Sequence, residues 1–207
     1  GITANLTADI TYNTDFAQGE VDEQQVNLTR FNLVFPEMRE FFLERRGIFE
    51  FGRPSGAGAT AGTDTPQLFY SRRIGLNGSQ IIPIDVGGRV TGKAGAFAPG
   101  VLNLETGGHA PSGTPATNFT VVRVKRDVLR RSSIGAILTN RSHGAAGPGS
   151  NQAYGGDAAF SFFEDVNVSG YWARTHTPGR SGDDTSYTAR AEYAGDRYGG
   201  RLEQLAV

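Results

Sequence analysis

The sequence has no cysteine among its 207 residues. Disulfide frameworks, thiolate metal sites and thiol nucleophiles are thereby excluded. It has no apolar run of the ~18 residues that a membrane-spanning helix needs, so a helical membrane protein is excluded too. It has no surplus of charge. Twenty Lys+Arg against 21 Asp+Glu give a formal net charge of −1, which makes no electrostatic case for nucleic acid. No secretory leader is visible at Gly1, as expected of a mature or truncated chain. A membrane β-barrel survives all of these exclusions, because its strands alternate and never show a long apolar run. Glycine, by contrast, is abundant at 29 residues, which suits many turns and sheets more than long helices.

Period-two alternation recurs along the chain. In 5–12, Leu6, Ala8, Ile10 and Tyr12 fall on one face, and Asn5, Thr7, Asp9 and Thr11 on the other. That polar face carries a charge. Further strands are predicted over 84–93, 96–106, 118–126, 133–141, 155–164, 166–176, 185–194 and 197–206. Most of these have the ~9–11 residues that cross a bilayer when tilted. In 186–193, Tyr187, Ala189, Ala191 and Tyr193 face one way, and Ser186, Thr188, Arg190 and Glu192 the other. The first set is expected to meet lipid, with Arg190 and Glu192 toward a lumen.

Connection lengths alternate as well. The links at 93–96, 127–132, 164–165 and 195–196 are short, whereas 107–117, 142–153 and 177–184 are long. An antiparallel meander with short turns at one end and long loops at the other has this pattern, as outer-membrane barrels do. The three long loops are therefore expected at one end. Tyr12, Tyr154, Tyr171, Tyr187, Tyr193, Tyr198 and Trp172 lie in or beside predicted strands. Interfacial aromatic girdles would place them there, and so would β-propensity alone.

Residues 13–80 break the pattern. Pro36 and Gly47 bracket a predicted short helix, with Pro36 at its first position and Gly47 just past its end. A Gly/Ala/Thr-rich linker follows at 54–66, expected to be the mobile part. Phenylalanines are dense here: Phe16, Phe31, Phe35, Phe41, Phe42, Phe49, Phe51 and Phe69. A free loop would not leave so many in water. The segment is expected to enter at the long-loop end and fold back as a plug.

The blocks 12–22 (YNTDFAQGEVD), 25–31 (QVNLTRF), 35–44 (FPEMREFFLE), 47–49 (GIF) and 68–76 (LFYSRRIGL) resemble the bacterial domain-of-unknown-function family 5916. The likeness runs from about Asn5 to Asp157. Met38 stands where that family usually has a basic residue, and Gly19 where it has a larger apolar one. The resemblance implies an outer-membrane barrel, often preceded by a carbohydrate-binding family 9 module that this chain lacks. The last residues, Leu205, Ala206 and Val207, show no terminal aromatic of the kind usual in such barrels.

The fold expected is therefore all-β: an antiparallel transmembrane β-barrel segment, with 1–207 as part of one barrel domain and 13–80 as its plug. Nine strands are an odd number, and bacterial single-chain barrels have an even count. The chain is accordingly expected to be an internal fragment, with more strands after Val207.

Glu37, Arg39, Glu44, Arg72 and Arg73 are the candidate site residues. Ion pairs that hold the plug are their expected role, with binding of a polar ligand in the lumen as the alternative. Asp15, Glu20 and Asp22 match no closed calcium loop. His109, His143 and His176 fall in or beside long loops without metal-ligand spacing. No catalytic residue, metal or cofactor is assigned. The expected partner is the lipid bilayer of the bacterial outer membrane, with a carbohydrate ligand implied by the family alone. The expected function is passage or capture of a polar solute, saccharide-related on the same ground. A surface glycan hydrolase and a soluble sugar-binding sandwich are the alternatives.

Overall fold

The computed structural model describes residues 5–14, 39–52, 68–71, 74–77, 80–109, 113–143, 149–179, 182 and 184–206. Period-two alternation becomes strand at each place where it was read. The strands are β1 (Leu6–Thr14), β2 (Leu76–Asn77), β3 (Gln80–Ile81), β4 (Ile84–Gly92), β5 (Phe97–Thr106), β6 (Thr117–Val128), β7 (Ser132–Arg141), β8 (Asn151–Phe162), β9 (Val166–His176), β10 (Thr185–Ala194) and β11 (Gly199–Ala206). Nine of them form one antiparallel sheet in the order β1-β4-β5-β6-β7-β8-β9-β10-β11, and β2 pairs only with β3. Apart from the step from β1 to β4, every neighbour in the sheet is a neighbour in sequence, which makes it a meander.

That topology puts the connections 107–116, 142–150 and 177–184 at one end, here the long-loop end. The connections 93–96, 129–131, 163–165 and 195–198 lie at the other, the short-turn end. The segment after β1 also departs from the long-loop end, since Thr14 pairs with Ile84 at the start of β4. One correction concerns closure. The sheet is open, with β1 and β11 as its two edges, rather than closed into a barrel. Among the described residues, nine strands in simple succession pair eight times and leave both outer edges without a ladder partner.

The two faces differ in kind. Phe42, Phe49, Phe51 and Ile74 of the inserted segment pack on Ile84, Leu102, Leu104, Val121, Ile137, Tyr171 and Ala173 of the sheet. We call this the covered face and the opposite one the open face. A bulge between Ile84 and Val86 lets Ile84 share the covered face with Gly87, Arg89 and Thr91.

Of the short helix expected between Pro36 and Gly47, the described residues show one α-helical turn, α1 (Glu40–Leu43), and Gly47 lies inside a 3-10 turn at Arg46–Ile48 rather than just past a helix end. Pro36 lies outside the described residues. The helix stops because Glu44 is extended (φ −63°, ψ 124°) and Arg45 has φ +50°. The carbonyls of Phe41 and Glu44, which a longer helix would have used internally, instead accept from Arg89 of the sheet.

Candidate functional site

Two clusters of charged side chains on the covered face lie where the inserted segment meets the sheet. Arg89 is 3% exposed, opposite Asp9 in the β1–β4 register. Its Nη2 donates to Asp9 Oδ2 at 2.6 Å and to Glu44 Oε2 at 3.2 Å, and its Nε to the same Asp9 oxygen at 3.2 Å. Nη1 donates to the backbone carbonyls of Phe41 and Glu44. One guanidinium thus ties an edge strand, its neighbour and the inserted segment together.

Arg123 on β6 is fully buried and reaches Asp157 on β8 diagonally over Gly135 of β7, whose partner in register on β6 is Lys125. Its Nη2 donates to Asp157 Oδ2 at 2.8 Å. The Nη1–Oδ1 contact, at 2.7 Å, is an ion pair without hydrogen-bond alignment. Asp157 Oδ2 also accepts from the backbone N–H of Gly52 at 3.2 Å, and Arg123 stacks 5.6 Å from the Phe51 ring centre. Lys125, two residues on and on the same face, donates to Gly47 O at 3.0 Å. Among the described residues the sheet grips the inserted segment by its backbone, by Glu44, by aromatic rings and by Ile48 and Ile74.

Glycines make the seats. A Cβ at Gly100 would stand 2.6 Å from Ile48 Cγ2 and 3.1 Å from Phe49 Cε1. One at Gly155 would stand 2.8 Å from Phe51 Cζ, and one at Gly135 2.7 Å from Arg123 Nη1. The Phe51 ring then lies against Tyr171, with centroids 5.7 Å apart.

Of the candidate residues read from sequence, Glu44 joins the Arg89 cluster. Arg39 serves the inserted segment itself, donating to Ile74 O and Ser71 O at 2.7 Å each, with its guanidinium 4.3 Å from the Phe42 ring centre. Glu37, Arg72 and Arg73 lie outside the described residues, as do Asp15, Glu20, Asp22 and the linker 54–66. Among the described residues no group of three or more His, Cys, Asp or Glu could hold a metal, and no helix is long and apolar enough to cross a membrane. His109 belongs to a small bridge with Thr114, and His176 ends β9.

Sequence reading missed Arg89, Arg123, Lys125 and Asp157. The available signal was a charge in mid-strand, on the face opposite the apolar alternation. At the long-loop end, a hydrogen bond from Arg174 Nε (2.9 Å) holds the Asp184 carboxyl below the usual carboxylate range.

The family model described as "Domain of unknown function (DUF5916)" matches residues 1–86. That stretch takes in β1, the inserted segment and the first three residues of β4. No curated protein and no solved structure matches the chain.

Proposed function

We propose that this sheet is a stretch of wall from a bacterial outer-membrane β-barrel that passes a polar solute, with residues 13–80 set against its inner face as a plug. The observation that carries this reading is the chemistry of the open face. The pairing registers place Ile10, Val90, Val101, Val124, Leu138 and Trp172 there, all exposed. Charges on that face stand near strand ends, at Glu105, Arg126 and Arg174, and leave a charge-free band between them. Ile10 is 83% exposed and Leu202 79%. Water does not favour so wide an apolar surface, and lipid does.

The dimensions agree. On β8 the apolar side runs from Tyr154 to Phe162, eight residue steps. At about 3.4 Å each that is roughly 27 Å along the strand. A tilt of ~40° reduces it to about 20 Å, near the ~25 Å apolar band of outer-membrane barrels. Tyr12, Tyr154, Trp172 and Tyr187 border the band toward the long loops, and Phe97, Phe162 and Tyr193 toward the short turns. Ring-bearing girdles of this kind sit at membrane interfaces. The reading also requires both edges, β1 and β11, to be paired within the bilayer, because unpaired backbone is not tolerated in hydrocarbon.

Trp172 is the chain's single tryptophan, and it lies on the open face at 45% exposure. With the protein reconstituted in phosphatidylcholine vesicles, brominated acyl chains should quench its fluorescence, and aqueous iodide should not. Quenching by iodide alone would sink the membrane reading.

A further inference from the structure

The described contacts of the inserted segment reach across the covered face as far as Tyr171 on β9. Beyond it, β10 and β11 continue the same face, and apart from Ala194, Gly199 and Leu205 what they carry there is polar. Two cross-strand rungs stand out. Ser169 of β9, Arg190 of β10 and Glu203 of β11 are in register, and so are Asn167, Glu192 and Arg201. Arg190 Nη2 donates to Glu203 Oε1 at 2.6 Å, and Arg201 donates to the other oxygen of the same carboxylate. Arg190 Nε is buried without a hydrogen-bond partner among the described residues. Glu192 and Arg201 are exposed.

Each rung therefore holds one cation, one anion and one neutral hydrogen-bonding group. Neither rung selects by net charge. A guanidinium offers only donors and a carboxylate only acceptors. Side by side they match a hydroxyl, which is both. An isolated ion would be attracted by one member of each rung and repelled by the other.

Resting on the pore reading above, we propose that the solute route runs along the β9–β11 wall beside the plug, and that it is built for small uncharged, hydroxyl-bearing solutes. Among the described residues the plug's seats lie on β4 to β9, whereas on β10–β11 the covered-face side chains Glu192 and Arg201 are exposed.

The test uses the full-length protein in planar bilayers under a KCl gradient, and in proteoliposomes swollen with arabitol. The unaltered protein should swell vesicles in arabitol and show little preference between K⁺ and Cl⁻. Arg201→Glu should shift the permeability ratio severalfold toward K⁺, and Glu192→Lys severalfold toward Cl⁻, as charged rings in a pore do. Both side chains are exposed, so neither exchange disturbs the core. Conductance that persists with the ratio unmoved by both variants would place the route elsewhere and overturn this proposal alone. Strong ion selectivity of the unaltered protein would also overturn it. Absence of both conductance and swelling would remove the pore reading itself, and this proposal with it.

Discussion

Arg123 shows what a single residue does in this sheet. It is completely buried, yet a lone buried cation would cost several kcal/mol, so its geometry depends on Asp157. Asp157→Asn should destabilise the protein by about 3–5 kcal/mol, the usual cost of breaking a buried pair from one side. Arg123→Met combined with Asp157→Asn should recover much of that loss, because no unpaired charge remains. Guanidinium-chloride unfolding of the detergent-solubilised protein checks the pair. A single variant no worse than the double would mean that Arg123 is not held by charge. In the sequence, Arg123 stands between Val122 and Val124, and Arg89 between Gly88 and Val90. A mid-strand charge there marks the face that the inserted segment covers. Its partner is not legible, because Asp157 is 34 positions away and meets Arg123 only on a diagonal across β7, over Gly135. Asp9 is the exception: its charge is visible within the first alternating stretch, and the β1–β4 ladder sets it directly across from Arg89.

At the scale of elements, strands were legible because side chains alternate across a pleat whatever the neighbouring strand is. The stretch 185–194 was read from sequence alone and is β10 to the residue; 84–93 differs from β4 by one. The start of β8 was misplaced, at 155 instead of Asn151, since Asn151 and Gln152 read as loop until β7 supplies their partners. The short helix expected between Pro36 and Gly47 is one turn, Glu40–Leu43, among the described residues, and Arg89 takes the carbonyls of Phe41 and Glu44 that a longer helix would use. Glycine seats are a related case, being composition in the sequence and contact in the structure. Gly100→Val should loosen the inserted segment and speed its cleavage by added protease, whereas Gly200→Ala, with nothing within 4 Å, should change neither. Equal cleavage rates for Gly100→Val and the unaltered protein would refute the seat.

The short turns hold a second element-level prediction. Leu129 (φ +58°) and Phe163 (φ +57°) adopt a left-handed backbone at the 129–131 and 163–165 connections, and their side chains are 74% and 89% exposed. Bulky residues lose roughly 1–2 kcal/mol in that conformation, and glycine avoids the loss. Phe163→Gly should therefore raise unfolding stability by up to about 1 kcal/mol, with glycine's greater freedom in the unfolded chain offsetting part of the gain. A clear loss of stability on that exchange would show that the Phe163 ring has a partner outside this chain.

For the whole molecule, the sheet sorts its residues by solvent rather than by core. The open face keeps charge out of its middle, and the covered face gathers it into Arg89–Asp9–Glu44, Arg123–Asp157 and Arg190–Glu203–Arg201. A soluble single sheet would do the reverse, placing its charges on the uncovered side. Residues 39–45 of the inserted segment run along the covered face, from Arg39 beside Ile74, past Phe41 at Arg89, toward the short-turn end, where Arg45 lies 3.5 Å from Asn5 O and 3.4 Å from Thr91 O. If that face lines a pore, the segment occupies cross-section. Removing residues 14–79 and joining β1 to β4 by a short glycine-containing turn should then raise single-channel conductance in planar bilayers. The deletion bares Leu102, Leu104, Val121 and Ile137, so β-sheet circular dichroism must first show that the wall still forms. With the sheet intact, unchanged conductance would mean that these residues lie outside the conducting path. The covered face would then be an ordinary core, and Phe42, Phe49 and Phe51 its packing rather than the body of a plug.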